Sequence, residues 1–175
     1  MELVPRARMG EIQGDIIRRF INSGEFYFGH SNCQIHTILG SCVAITLWHP
    51  ILKIGGMCHI VLPYSSDGLN STNYFGESLS GRYSDTAMML FEKEAFVRGT
   101  YLKEYQAKIF GGSNMLKSSK LHEDDQIGTK NIKAVKQKLL ELGIPLLVSH
   151  VGNTGFRHIA FDINSGDVWV HYGQM

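Results

Sequence analysis

The chain has 175 residues, a formal net charge of +1, 43% hydrophobic residues and 19% charged residues. This length suits one domain that buries its core without disulfides, and the near-neutral charge argues against a dedicated nucleic-acid binder. No apolar run approaches the roughly 20 residues of a membrane span, and the N-terminus lacks the apolar core of a signal peptide. We therefore expect a cytoplasmic protein without membrane insertion, whose cysteines are reduced thiols.

Strands dominate the predicted first half of the chain. Residues 1–24 have no strong periodicity and are expected to form an N-terminal arm or first strand region, followed by one domain over residues 25–175. Branched and aromatic residues predict strands at 25–29, 34–39, 42–48 and 53–62. The turn between the last two is expected at His49-Pro50-Ile51-Leu52. A polar stretch at 64–82 predicts a long loop of the kind that often carries function.

The second half is predicted to be mixed. Two helices are expected, over 84–98 and 130–142, and a polar loop at 116–128 lies between them. Each helix has a candidate N-cap and a glycine stop: Ser84 with Gly99, and Thr129 with Gly143. Further strands are predicted at 105–110, 146–151, 157–163 and 168–171. The fold class is therefore a single α/β sandwich with a mixed, largely antiparallel sheet packed by about two helices.

One predicted hairpin carries possible chemistry. If its turn is centred between Pro50 and Ile51, Cys42 stands directly across the strand pair from His59, within reach of a side-chain contact. An imidazole can take the proton of a thiol and leave a nucleophilic thiolate. A register slip of one residue would put the two side chains on opposite faces. From spacing alone a buried structural cysteine remains the alternative, and this is the interpretation for Cys33 and Cys58.

Glycines flank both members of this pair. Gly40 and Ser41 directly precede Cys42 and imply a tight turn whose N–H groups could hold an oxyanion. Gly55 and Gly56 precede His59 and could let a substrate chain approach the backbone closely.

Metal binding is the second chemical hypothesis, because six potential ligands are close in sequence: His30, Cys33, His36, Cys42, Cys58 and His59. They show neither CxxC nor HExxH spacing, which argues against zinc. The glycine pairs likewise lack the GxxxxGK[ST] pattern of a phosphate-binding loop. We therefore expect no metal and no cofactor.

A set of longer motifs runs through the chain in order. They are TILGSCV at 37–43, GGMCHIVLP at 55–63, RYSDTAM at 82–88, AKIFGGSNM at 107–115, Ile127-Gly128 with Asn131, and GNTGFR at 152–157 with Phe161 and Gly166. Any single motif is weak, but the ordered set, over about residues 25–170, resembles the CheD family. Members of that family deamidate glutamine side chains of methyl-accepting chemotaxis receptors.

This resemblance implies the remaining expectations. The fold would be an α/β sandwich related to bacterial toxin deamidases. Cys42 would be the nucleophile and His59 its base, with Thr37 orienting His59 and His36 as the alternative third residue. Partners would be the receptors' cytoplasmic helices and, for some members, the phosphatase CheC. Hydrolysis of receptor methyl esters would be a related activity, and a receptor- and CheC-binding adaptor with little catalysis is the alternative function.

Overall fold

The computed structural model of the protein describes residues 15–65, 80–115, 122, 124 and 126–174. Its strands and helices in chain order are β1 (Ile17–Phe20), β2 (Phe26–His30), β3 (Cys33–Leu39), β4 (Val43–His49), β5 (Ile54–Ile60), α1 (Ser84–Val97), β6 (Gln106–Gly111), α2 (Ile127–Glu141), β7 (Leu146–Val151), β8 (Phe156–Asp162) and β9 (Val168–Gly173), with a short 3-10 helix at Leu102–Glu104. Most of the loops expected at 64–82 and 116–128, and the first part of the N-terminal arm, lie outside the described residues.

The strands divide into two sheets. One has four strands in the order β1-β3-β8-β9, and the other has five in the order β2-β5-β4-β6-β7. Only the pairs β1–β3 and β6–β7 are parallel among those described, and the other neighbouring pairs are antiparallel. The predicted α/β sandwich with largely antiparallel pairing and two helices is thus confirmed, with the strands forming two sheets.

Burial patterns follow from this layering. In β3 the buried residues alternate with more exposed ones, because one face of the four-stranded sheet packs inward and the other meets solvent. β5 is buried along its whole length, because the five-stranded sheet lies between the other sheet and the two helices. One apolar core fills the space between the sheets, and a second lies between the five-stranded sheet and the helices. No helix in the described part of the chain is long and apolar enough to cross a membrane.

The predicted stops of the helices are correct, but both predicted N-caps are wrong. Gly99 and Gly143 follow the helices with left-handed φ angles of 66° and 65°. Ser84 is the first residue of α1, after Tyr83 as N-cap, because the Ser84 hydroxyl donates to the Pro63 carbonyl at the end of the preceding strand region.

The second helix begins earlier than predicted. Gln126 is the N-cap of α2, so Thr129 lies inside the first turn. The early start is possible because Gly128 packs tightly on the segment after β6: a Cβ at this position would lie 2.5 Å from the Gly112 carbonyl oxygen.

The β4–β5 register differs from the prediction. Ala44, and not Cys42, is the direct partner of His59, and His49 pairs with Ile54. The turn is therefore centred one residue later than expected. The four-residue turn spans residues 50–53 instead of 49–52. It closes through a hydrogen bond from the Lys53 N–H to the His49 carbonyl (2.9 Å), with Lys53 at a left-handed φ of 50°.

This change of register preserves the face. Alternate residues of a strand share a side, so Cys42, two residues before Ala44, lies on the same side as His59. Both Ala44 and Cys42 belong to the core between the sheets. Cys42 is therefore a diagonal neighbour of His59, while Cys58 faces the opposite core, as predicted.

Candidate active site

The candidate nucleophile lies where the chain crosses from one sheet to the other. Gly40, Ser41 and Cys42 connect β3 of the four-stranded sheet to β4 of the five-stranded sheet. The crossover is crowded, because a Cβ on Gly40 would lie 3.0 Å from the Met115 sulfur. We call residues 40–42 the nucleophile turn.

All three carbonyl groups of the nucleophile turn accept hydrogen bonds from the protein. The N–H of Ser113 donates to Gly40 O (2.9 Å), and the N–H of Gly112 donates to Cys42 O (2.7 Å). The Asn131 side-chain amide donates to Ser41 O (3.3 Å) and to Val61 O (2.9 Å). Among the described residues, the N–H groups of Ser41 and Cys42 have no acceptor. They therefore remain available to a ligand.

His59 is held by a buried side-chain contact from the other sheet. Its Nδ1 lies 2.8 Å from the Thr37 hydroxyl oxygen, and that hydroxyl donates to the Ile21 carbonyl at 2.7 Å. A hydroxyl has one hydrogen, so Thr37 must accept from His59 Nδ1–H. This arrangement places the imidazole proton on Nδ1 and leaves the lone pair on Nε2, as a general base requires.

The structure distinguishes between the two candidate third residues. Thr37 is fully buried and points between the sheets, while His36, its neighbour on β3, faces the opposite side. The His36 ring lies against His158, with ring centroids 5.9 Å apart. Thr37, and not His36, therefore contacts His59.

A turn at residues 21–25 covers the imidazole. Gly24 N–H donates to the His59 carbonyl (2.8 Å), and His59 N–H donates to the Glu25 carbonyl (3.0 Å). The exposed Ser23 lies within this turn, and its hydroxyl oxygen is 3.5 Å from His59 Nε2. The same hydroxyl acts on the Cys42 thiol, whose pKa it lowers. Residues 21–25 show no hydrophobic periodicity, and only the Asn-Ser-Gly-Glu composition indicates a turn.

Burial keeps both members of the pair neutral. It lowers the pKa of His59 to about 4, although the nearby Glu25 carboxylate acts in the opposite direction. Burial also raises the pKa of the Cys42 thiol, against smaller lowering effects from the Ser23 hydroxyl and the Arg82 charge. At neutral pH the Cys42 thiol and the His59 imidazole are therefore both uncharged.

Gly55 and Gly56 lie away from this arrangement. Both are buried inside β5, between β2 and β4. A Cβ on Gly55 would lie 2.4 Å from the Leu47 carbonyl oxygen, and one on Gly56 would lie 2.6 Å from that of Tyr27. The missing side chains allow close strand packing, and the structure does not bring these two glycines to the Cys42–His59 pair.

A polar cavity of about 350 Å³ lies behind the nucleophile turn. It is lined by Gly112, Asn114, Gln126, Thr129, Gly152, Asn153 and Thr154. It touches the site through Gly112, the donor to Cys42 O, but includes neither Cys42 nor His59. Among the described residues, no group of three or more His, Cys, Asp or Glu side chains could hold a metal ion.

Comparisons with known sequences agree on one family. A family model described as CheD chemotactic sensory transduction matches residues 61–172, a span that begins just after His59. A solved structure, the hypothetical protein YfiH of Bacillus licheniformis, is 12% identical with a TM-score of 0.42, and the match covers 79% of this chain and 61% of that one. That likeness is too distant to carry an argument.

Curated relatives match most of the chain. Probable chemoreceptor glutamine deamidase CheD 3 of Dechloromonas aromatica (strain RCB) is 46% identical over 155 residues, which are 89% of this chain and 87% of the relative. CheD 1 of Chromobacterium violaceum, also named a probable chemoreceptor glutamine deamidase, is 39% identical over 97% of this chain and 84% of the relative. The chain therefore belongs to the CheD family.

Proposed function

We propose that this protein deamidates glutamine side chains of chemoreceptors to glutamate, with Cys42 as nucleophile, His59 as general base and acid, and Thr37 orienting His59. The observation that carries the proposal is the hydrogen bond between Thr37 and His59 Nδ1. With the imidazole proton on Nδ1, the lone pair is on Nε2, which can act as a base toward Cys42 on the same face of the sheet. The curated relatives named as probable chemoreceptor glutamine deamidases supply the reaction and the substrate.

The first half of the reaction forms a thioester. His59 Nε2 takes the thiol proton, and the Cys42 sulfur attacks the carbonyl carbon of the glutamine amide. The oxyanion is held by the N–H groups of Ser41 and Cys42, which have no acceptor among the described residues and so suit developing negative charge. The His59 imidazolium then donates its proton to the amide nitrogen, and ammonia leaves.

The second half hydrolyses the thioester. His59, neutral again, takes a proton from water, and the resulting hydroxide attacks the same carbonyl carbon. The Cys42 sulfur leaves and is protonated by His59, and the product is a glutamate side chain on the receptor. These proton transfers involve only side chains of this chain and water. A receptor methyl ester would form the same thioester with methanol as leaving group, so we include methylesterase activity in the proposal.

The test is an incubation of the protein with a helical fragment of a receptor. We expect ammonia release and the mass gain that replaces an amide nitrogen with oxygen, located to individual glutamines by mass spectrometry. Cys42→Ala should abolish both signals, while the control Cys33→Ala, which alters a buried cysteine at the start of β3, should retain them.

The same assay separates the enzyme from an adaptor. If wild type and Cys42→Ala bind the fragment equally and neither releases ammonia, the protein is a receptor-binding module and the deamidase proposal fails. We place the protein in the cytoplasm, where receptor helices are accessible, and include CheC as a second partner. Pull-down of purified CheC by the wild-type protein tests that partner separately.

A further inference from the structure

One hydroxyl contacts both reacting groups of the site. Ser23 Oγ lies 3.5 Å from His59 Nε2, the nitrogen that carries the lone pair. The hydroxyl is also close enough to Cys42, which lies on the same face as His59, to lower the pKa of its thiol. Among the described residues, no other group hydrogen-bonds with the Ser23 hydroxyl, whose remaining surface faces solvent. A hydroxyl located beside both groups can move a proton between them.

We propose that the Ser23 hydroxyl relays the proton between the Cys42 thiol and His59 Nε2, and is therefore a fourth catalytic residue. This inference rests on the proposed function, because it assigns a path to the proton transfer in that mechanism. It also explains how two groups that are diagonal neighbours, and not direct cross-strand partners, can exchange a proton.

The relay balances without a co-reactant. In the neutral state the Cys42 S–H donates to Ser23 Oγ, and the Ser23 O–H donates to His59 Nε2. As the thiol proton moves to Oγ, the serine proton moves to Nε2. The result is a thiolate that accepts from an intact serine hydroxyl and an imidazolium that donates to it. The reverse transfer restores the thiol when the thioester is hydrolysed.

The main chain positions Ser23 independently of its side chain. Gly24 N–H and Glu25 O bond to the carbonyl and N–H of His59, so the turn is tied to the residue it serves. A second tie runs from the Asn22 N–H to the Glu25 carboxylate at 2.8 Å. Removal of the Ser23 hydroxyl should therefore leave the turn in place and remove only the relay. The exposed Asn22, whose side chain lies at the edge of the same turn, provides a matched control position.

The first experiment needs no substrate. The rate of Cys42 alkylation by iodoacetamide is followed against pH, with peptide-level mass spectrometry to separate Cys42 from Cys33 and Cys58. We expect Ser23→Ala to slow alkylation near neutral pH by about tenfold, the order expected when a hydrogen bond to a charged group is lost. Ser23→Thr, which keeps a hydroxyl, and Asn22→Ala should alkylate like wild type.

A double-mutant cycle separates a relay from a simple hydrogen bond to sulfur. If Ser23 acts through His59, the effect of Ser23→Ala should disappear in a His59→Asn background, because the acceptor is gone. A full tenfold effect in that background would overturn the relay. A wild-type pH profile of alkylation for Ser23→Ala would also overturn the relay, because water would then replace the hydroxyl. The same holds if Ser23→Thr or Asn22→Ala slows alkylation as much as Ser23→Ala does.

Deamidation kinetics provide the second readout. Ser23→Ala should lower kcat about tenfold and leave KM unchanged, since the hydroxyl acts on the proton and not on binding. The relay and the proposed function can fail separately. The alkylation rate of Cys42 could depend on Ser23 and His59 in a protein that does not deamidate the receptor fragment. That result would support the relay and reject the proposed substrate. Deamidation by Ser23→Ala at the wild-type rate would support the proposed function and reject the relay.

Discussion

The two members of the proposed catalytic pair are held by different means. The nucleophile turn is fixed through its main-chain carbonyls, by donors from the segment after β6 and from α2. His59 is fixed through its ring, by one hydroxyl from the opposite sheet. A substitution that alters one side chain can therefore disturb the base alone. The position of the nucleophile, by contrast, responds mainly to changes in packing around the glycines and the helix that donate to its turn.

The largest effect should come from the hydroxyl that holds the base. Thr37→Val keeps the shape but removes both the acceptor for His59 Nδ1–H and the donor to Ile21 O. We expect kcat to fall about 10³-fold, within the usual range for loss of general acid–base catalysis. Thr37→Ser should recover most of the rate. The control is Ile38→Val on the exposed face of β3. If Thr37→Val retains the wild-type kcat, the His59 ring does not need the contact with Thr37.

The burial of His59 should also appear as a pH dependence of stability. Its pKa is about 4 in the folded protein against an ordinary value of 6.5. Between these values the unfolded chain binds a proton that the folded chain does not, so stability is lost as pH falls from 6.5 toward 4. The loss should approach about 3 kcal/mol.

Urea unfolding at neutral and acidic pH measures this loss. His59→Gln removes the titrating group, so its stability should fall less on acidification than that of the wild type. The comparison isolates His59 from His36, whose pKa burial also lowers. Equal losses in wild type and His59→Gln would show that the imidazole is already protonated in the folded state.

A smaller effect should come from the glycine that holds the nucleophile turn. Gly112 has a φ of +65°, and a Cβ there would lie 2.6 Å from Ile132 Cδ1. Gly143 has the same φ of +65° with no atom within 4 Å of the added Cβ, so it is a matched control for backbone strain alone. Gly112→Ala should cost about 2 kcal/mol in thermal or urea unfolding and Gly143→Ala about 1 kcal/mol.

Activity should separate these two glycine variants further. Gly112→Ala should lower kcat because the donor to Cys42 O moves, while Gly143→Ala should leave kcat unchanged. Equal kcat in both would mean that the nucleophile turn does not depend on Gly112.

The smallest effect should come from the helix side chain that reaches the same turn. Asn131→Ala removes the donor to Ser41 O and Val61 O, and the remaining main-chain bonds still hold the turn. We expect kcat to fall roughly tenfold, which is about 1.4 kcal/mol in the activation free energy. Gln137→Ala, on the exposed side of α2, should behave like wild type. If Asn131→Ala lowered kcat as much as Thr37→Val, the main-chain hydrogen bonds would not be the main contacts that hold Cys42 in position.

Local patterns in the sequence predict much of the fold. Branched residues place most strands, and Gly99 and Gly143 end the helices because glycine tolerates the left-handed conformation there. The predicted N-caps are wrong because tertiary contacts decide where the helices begin. The Ser84 hydroxyl bonds to the Pro63 carbonyl, and Gly128 packs on Gly112. The predicted β4–β5 register is wrong for a local reason, since Lys53 adopts a left-handed conformation and closes the turn one residue later than expected.

The candidate site is less accessible to sequence reasoning. Cys42 and His59 are found from spacing and family resemblance, and Thr37 from resemblance. Ser23 is found by neither, and Asn131 only as a member of the family motifs with no role assigned, because their contacts join segments that are distant in sequence. Ser23 reaches His59 through the pairing of β2 with β5, and Asn131 reaches Ser41 across 90 positions of sequence. Neither contact leaves a periodic signal in the chain.

The split of the site between two sheets has a consequence for the newly made protein. Thr37 lies in β3, whose backbone neighbour on one side is β8, with Thr37 paired to Ile159. Until the ribosome has made β8, the strand that carries Thr37 lacks this neighbour, and such distant pairings form late. His59 therefore acquires its orienting partner only near the end of synthesis. In a nascent chain Cys42 would lack this surrounding, and the proposed catalytic site would be complete only once the two sheets have packed on each other.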